Sequence, residues 1–444
     1  MINCNVKDFG AVGDGKTLST VAIQAAIDHC AAHGGGRVIL EGGHFLCGRI
    51  DLKSGVDLHL ERDAVLLGST DYQDFPEIET DAWKTDYAPR FNRRCMIYAE
   101  NCEDIAITGR GKIDCQGEAY VVPMTREEMA ARPHMSYLHK KMPLPEDFVP
   151  MEKSINYVGS YPHNLDPRIT SLAPARVVFF IGCTNVLVED VSMFNQFGGW
   201  GYWICACTCV RFDRVQIRSA VDIPNNDGIH INCCTDVNIS NCNITSGDDS
   251  IVIRALGSLL HHPMPCERVT VTNCNLTSHT CGVRIGYIDD GVMRNMTFSN
   301  LNITHSSMPL CMRLPGNTSD LRMSDQGVED SFIENISFSN IIIDQCYNFP
   351  VRVEIEEHCR CKAIQNVYFS GIHASGAKMP RIKGRPDCHI RNVYFNDCHF
   401  THVPYSEIPT KYAARMDALQ KPMTWPDFSC VDNLVLSNTF FNLL

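Results

Sequence analysis

The feature that most constrains this chain is a degenerate unit that returns along most of its length. A cysteine or polar residue is followed by asparagine or another turn former, then by valine or isoleucine with apolar residues at alternate positions. It reads Cys183-Thr184-Asn185-Val186-Leu187-Val188, Cys234-Thr235-Asp236-Val237-Asn238-Ile239 and Cys266-Glu267-Arg268-Val269-Thr270-Val271, then Asn335-Ile336-Ser337-Phe338, Asn366-Val367-Tyr368-Phe369 and Asn392-Val393-Tyr394-Phe395. A second short unit often follows, as in Asn241-Cys242-Asn243-Ile244 and Asp397-Cys398-His399-Phe400. Short β-branched strands separated by polar turns at a loose repeat predict an all-β parallel β-helix, a solenoid in which each coil buries its apolar residues against its neighbours. Its interior is expected to be a stack of Val, Ile and Cys, with asparagine ladders at the bends.

A solenoid needs a covered end. Ile23, Ala26, Ile27 and Cys30 recur at helical spacing, Ser19 and Thr20 are candidate caps, and Gly34-Gly35-Gly36 ends the pattern, so residues 1–36 are expected to form an N-terminal cap region with a helix. Residues 116–172 lack strand periodicity and are expected to be an inserted loop region within one domain spanning 1–444.

Composition excludes several classes of function. The net charge of −12 disfavours nucleic acid or an anionic membrane as a partner, and no apolar run reaches the ~18 residues of a membrane span. The 23 cysteines are odd in number and show no Cys-x-x-Cys pair, which favours reduced core thiols over a zinc site, and no metal or cofactor is expected. No basic-then-apolar leader opens the chain, so a cytoplasmic protein is expected, secretion being the alternative if a leader has been removed. Oligomeric state is not specified by these features.

Three acids stand apart from the repeat. Asp227 lies in Asn225-Asn226-Asp227-Gly228, and Asp248 and Asp249 in Gly247-Asp248-Asp249. The separation between the motifs is about one solenoid turn, since repeats run ~20–45 residues, so the three carboxylates are expected on one face. Glycoside cleavage needs this chemistry: a protonated carboxylic acid for the leaving oxygen and an ionised partner to activate water. Crowding raises the proton affinity of one member of such a cluster.

These two motifs, with Asp8-Phe9-Gly10-Ala11-Val12-Gly13-Asp14-Gly15, Ala22-Ile23-Gln24-Ala25-Ala26-Ile27 and Gly109-Arg110-Gly111-Lys112-Ile113-Asp114, resemble glycoside hydrolase family 28, the polygalacturonase family. The resemblance implies a right-handed parallel β-helix and hydrolysis with inversion. Carried over by position, it implies Asp248 as general acid, with Asp227 and Asp249 holding and deprotonating the water. The chain departs from the family at Asn226, where threonine is common. It departs again at Thr280-Cys281-Gly282, where Cys281 takes the place of a histidine and His279 is the possible substitute. At Arg313-Leu314-Pro315 the arginine is kept and a lysine is lost.

Arginine recurs at outward strand positions, as Arg254, Arg284, Arg313 and Arg352, and these are expected to stack on successive coils beside Asp248. Stacked like charges need neutralising, either by Asp248, Asp249, Glu354 and Glu356 or by a bound uronate, whose carboxylate a guanidinium grips bidentately. Asn225, His279 and Trp203 complete the expected substrate-binding set, with Trp200 and Trp203 read either as sugar platforms or as core. The expected function is an inverting, exo-acting hydrolase of a pectin-like, uronate-containing oligo- or polysaccharide, the 116–172 excursion and the Leu256–Pro265 insertion walling off one end of the groove. The alternatives are release of a neutral sugar such as rhamnose, a calcium-dependent lyase or epimerase, and a non-catalytic carbohydrate-binding β-helix.

Overall fold

The computed structural model describes residues 2–81, 83–84, 93–123, 168–170, 173–220, 225–278, 280–316, 330–404, 407 and 423–443. Eleven short strands, from Ile50–Asp51 through Cys95–Glu100, Arg176–Ile181, Trp200–Cys205, Ile229–Asn232, Ile251–Arg254, Val283–Ile285, Leu310–Leu314, Val351–Ile355 and Arg381–Lys383 to Asp427–Ser429, pair parallel in strict sequence order. Each returns through a larger sheet of 22 strands that bends around the rest of every coil. This is the right-handed parallel β-helix the repeat and the resemblance predict.

The corners explain the asparagines. Strands of 13 to 16 residues, such as Cys266–Ser278 and Ser331–Cys346, turn within themselves at Asn273 and at Asn335 and Asn340, whose φ of 57°, 57° and 53° lies in the left-handed region. Asparagine enters that region more readily than other side-chain-bearing residues, and its amide can bond its copy one coil away. Asn335 donates to Asn295 (3.0 Å), Asn366 to Asn335 (2.9 Å), Asn392 to Asn366 (2.8 Å) and Asn433 to Asn392 (2.9 Å).

Inside the coils, alternation places Val, Ile, Leu, Phe and Cys in columns. Phe298, Phe338, Phe369 and Phe395 stack at 5.0, 5.2 and 4.7 Å. All 23 cysteines are free thiols, and most are buried. Cys183, Cys207 and Cys234 form a column in which a backbone N–H meets the next sulfur at 3.3 Å.

The helix Thr20–Ala32 buries Ile23, Ala26, Ile27 and Cys30 completely. Ser19 precedes it but does not cap it: its hydroxyl accepts from the Val12 N–H (3.1 Å) and ties the helix entry to the preceding loop. Most of the predicted inserted region, 124–167 and 171–172, lies outside the described residues; its two stems, 121–123 and 168–170, pair antiparallel. The Leu256–Pro265 insertion makes a short turn of 3-10 helix at Gly257–Leu259 and reaches back toward the N-terminal coils. There the Lys84 N–H donates to the Leu259 carbonyl (2.9 Å), and the His261 ring meets the Asp81 carbonyl (2.6 Å).

Candidate active site

Register brings the acids together. Ile229 pairs with Ile251, so Asp227 and Asp249, each two residues earlier, sit at one level on neighbouring coils. The coils close on each other there because Gly228 has no side chain: a Cβ would lie 2.3 Å from the Ser250 carbonyl oxygen, while its N–H donates to the Asp249 carbonyl at 2.9 Å. Asn226 is wholly buried and structural. Its side-chain oxygen accepts from the Gly198 N–H (3.0 Å), and its carbonyl accepts from the Gly247 and Asp248 N–H groups (3.1 and 3.3 Å). Ser246 and Ser278 both donate to the Asp248 carbonyl (2.8 and 2.6 Å), which pins the Asp-Asp backbone from two coils.

All three carboxylates are buried. Burial pushes the Asp227 carboxyl well above the usual range, and the charges of Asp248 and Asp249 push further, against Arg284. Among the described residues its Oδ1 has no hydrogen-bond partner. Asp249 is buried too, but Arg284 beside it, the Thr280 hydroxyl and the Cys281 N–H (2.9 Å) outweigh burial and hold it below the usual range. The Thr280 hydroxyl lies between the pair, within hydrogen-bond reach of Asp248 Oδ1 (2.7 Å) and of Asp249 Oδ1. One hydroxyl has one proton to give. If Asp249 is ionised and takes it, the contact with Asp248 is a hydrogen bond only when Asp248 carries a proton and donates.

His230 belongs to this cluster and was missed by the sequence reading. It lies outward between the inward Ile229 and Ile231, 3.6 Å from Asp227 Oδ2 through Nδ1, and its ring centroid is 4.2 Å from that of Trp200. Burial, then the charges of Arg254, Arg176 and Arg284, hold it neutral. The signal was its position three residues after Asp227 at outward parity. Thr280 and Asp290, which accepts from Arg254 (2.5 Å) and the Ala255 N–H (3.1 Å), had no signal in type or spacing.

The expected substrate residues divide. The four arginines are outward but do not form one column: register places Arg254 and Arg313 in one row, with Gly286 on the coil between them, and Arg284 and Arg352 in the other, with Cys311 between. This staggering separates like charges, and each has its own acid, Arg254 with Asp290, Arg284 with Asp249, Arg313 with Glu356 and Arg352 with Glu354. Arg254 and Arg284 flank Tyr287, at 5.4 and 5.3 Å from its ring centre. Trp203 is not a sugar platform. It is 3% exposed, stacked on Phe179 at 4.4 Å and covered by the Arg176 guanidinium at 3.8 Å, whereas Trp200 is partly open beside His230. Asn225 turns the chain with φ 58°, and His279 lies outside the described residues. Cys281 serves through its backbone, its thiol being buried with Met308 and Cys311. A hollow of about 500 Å³ on the larger sheet, lined by Arg37, Asp57 and His59 among others, contains none of the three clustered acids, so the acids and not the size of a hollow mark this site.

Comparison with known proteins bears on family and fold. Residues 172–406, more than half of the chain, match the family model described as Glycosyl hydrolases family 28, and residues 3–59 match one described as Rhamnogalacturonase A/epimerase, pectate lyase-like. A probable polygalacturonase of Vitis vinifera is 28% identical over 57% of this chain and 44% of its own length. An exo-poly-alpha-D-galacturonosidase of Dickeya chrysanthemi is 26% identical over 56% of this chain and 41% of its own. The chain thus spans less than half the length of these two relatives. The crystal structure of an exopolygalacturonase from Thermotoga maritima superposes with a TM-score of 0.62 at 22% identity, covering 90% of this chain and 87% of that one, and so shares the fold.

Proposed function

Because this chain belongs to family 28 of the glycosyl hydrolases, we propose that it hydrolyses a galacturonide bond in a pectin-like saccharide, acting from a chain end and inverting the anomeric centre. The observation that carries the reading is the Thr280 hydroxyl shared by Asp248 and Asp249. With Asp249 held ionised by Arg284, the proton falls to Asp248, which is then poised to give it to the leaving glycosidic oxygen. The Asp248 charge is part of what raises Asp227, so once Asp248 holds the proton of the cluster Asp227 is released to ionise, and its Oδ1, which meets no donor among the described residues, is the base that takes a proton from water. An inverting reaction places water between base and sugar, opposite the acid, so that the bond to water forms as the bond to the leaving oxygen breaks. Arg284 against Asp249 also opposes the calcium-lyase alternative, since a guanidinium at that carboxylate repels a divalent cation.

Replacing Asp248 by Asn should lower kcat by ~10²–10⁴-fold on oligogalacturonates with little loss of stability. Product observed by NMR before mutarotation should carry the configuration opposite to the substrate. Retention of a tenth of the activity, or of configuration, overturns the assignment.

A further inference from the structure

Two atoms of the buried cluster are left over by the pairings described so far. Asp227 Oδ1 and His230 Nδ1 are both buried, both meet no hydrogen-bond partner among the described residues, and belong to side chains that face each other. The backbone fixes this approach. Ile229 and Ile231 point inward and are wholly buried, so His230 between them points outward, where its register neighbours are Trp203 on one coil and Val252 on the other. Neither of those side chains has an acceptor atom to offer it. The Trp200 ring lies against the imidazole at 4.2 Å between centroids, and Nδ1 is left 3.6 Å from Asp227 Oδ2.

Charge decides what can cross that gap. Burial first, then Asp248 and Asp249, favour the protonated form of Asp227, against Arg284. On the other side, burial first and then the charges of Arg254, Arg176 and Arg284 oppose an imidazolium. A proton passed from Asp227 to His230 would add a cation to a ring already facing three guanidinium groups, so the imidazole does not serve as the base. What a neutral imidazole can give is its single N–H. With that proton on Nδ1, ionised Asp227 gains a donor at Oδ2, and Oδ1 is the oxygen left for water. The gap is about half an ångström longer than a hydrogen bond, and hydrogen bonds to a catalytic base commonly tighten only when substrate closes the site.

We propose that His230 is the positioning residue of the base: its Nδ1–H donates to Oδ2 of ionised Asp227 and so aims Oδ1 at the attacking water. The proposal rests on the function proposed above for the part that Asp227 plays. It makes the ionisation of Asp227 depend on His230 as well as on Asp248, Asp249 and Arg284, because a hydrogen bond to the charged form favours that form.

The test compares His230→Phe, which keeps a ring against Trp200 and removes the N–H, with His230→Asn, whose amide places an N–H near the position of Nδ1. In His230→Phe, kcat on oligogalacturonates should fall ~10–100-fold with KM little changed, and the acid-side limb of the kcat/KM profile should move up by about one pH unit, since the carboxylate has lost its donor. His230→Asn should return the limb to its wild-type position and recover most of the rate. A merely structural role would lower both variants alike and leave the limb in place. In parallel, 15N NMR of the imidazole-labelled full chain, with the His230 signals assigned by their loss in His230→Asn, should show a neutral ring protonated at Nδ1. An unmoved limb in His230→Phe, an Asn variant no better than the Phe variant, or a ring protonated at Nε2 overturns the proposal; if His230→Phe does not fold, the NMR spectrum decides it. No hydrolysis of any uronate chain by the wild type would instead sink the proposed function, and a ring protonated at Nδ1 would still mark His230 as the donor to Asp227.

Discussion

At the scale of single residues, the site is a set of buried charges that compete with stability. A carboxyl whose folded-state proton affinity is raised contributes full stability below its unfolded pKa of ~3.9 and loses it as pH rises through the folded value. Asp227 is such a group, so Asp227→Asn should abolish turnover yet raise the melting temperature by a few degrees at pH 7 and by much less at pH 4. An equal or lower melting temperature at pH 7 would show that the carboxyl is not strained in the fold. Thr280→Val keeps the shape and removes the hydroxyl that joins Asp248 to Asp249, so kcat should fall ~10–100-fold with KM little changed, read by initial rates on oligogalacturonates. Arg313 is half-exposed and paired with Glu356. Its replacement by Ala should lower kcat/KM roughly ten- to a hundredfold on free uronate chains and hardly at all on methyl-esterified ones, a charge-assisted hydrogen bond being worth ~1.5–3 kcal/mol. Equal losses on both substrates would assign the cost to the orphaned Glu356.

At the scale of elements, the bends are held by the amide ladder and the strands by alternation. Asn366 takes the left-handed backbone (φ 57°), donates to Asn335 and accepts from Asn392. Asn366→Ala loses two bonds of ~1 kcal/mol each and adds ~1–2 kcal/mol of backbone strain, while Asn366→Gly loses the bonds without the strain. Hydrogen exchange should therefore show the coils around residue 366 opening more readily in Ala than in Gly, both more than wild type. If Ala and Gly are indistinguishable, the conformation at that corner contributes nothing.

At the scale of the molecule, the acids lie on a sheet, and the Leu256–Pro265 turn that follows them reaches back to the N-terminal coils through contacts to the Asp81 and Lys84 backbone. The coils carrying Arg284, Arg313 and Arg352 lie on the other side of the acids. On the proposed function, a chain that lies over those coils and ends against the turn would be cleaved from its end. Tetragalacturonate should release short products from the first turnovers, and the viscosity of long polygalacturonate should fall only in proportion to bonds cut. A rapid viscosity drop at low conversion would mark internal cleavage and an open groove.

The repeat of asparagine and alternating apolar residues by itself determined the solenoid, because a two-residue period and left-handed corners leave a coil no other way to bury its apolar side chains. The same holds for the helix of Ile23, Ala26, Ile27 and Cys30 and for the acid triplet, whose spacing of one turn can be counted along the chain. Tertiary structure alone decided the register, and register decided the rest. It divided the four arginines into two staggered rows, since a column on neighbouring coils would have set their charges side by side. It closed Trp203 beneath Arg176, brought His230 to Asp227, and set Thr280 between two carboxylates from a coil that no local pattern ties to them. Side-chain parity can be read along one strand, but which residues face each other across coils depends on the lengths of the turns between strands, and these vary from coil to coil.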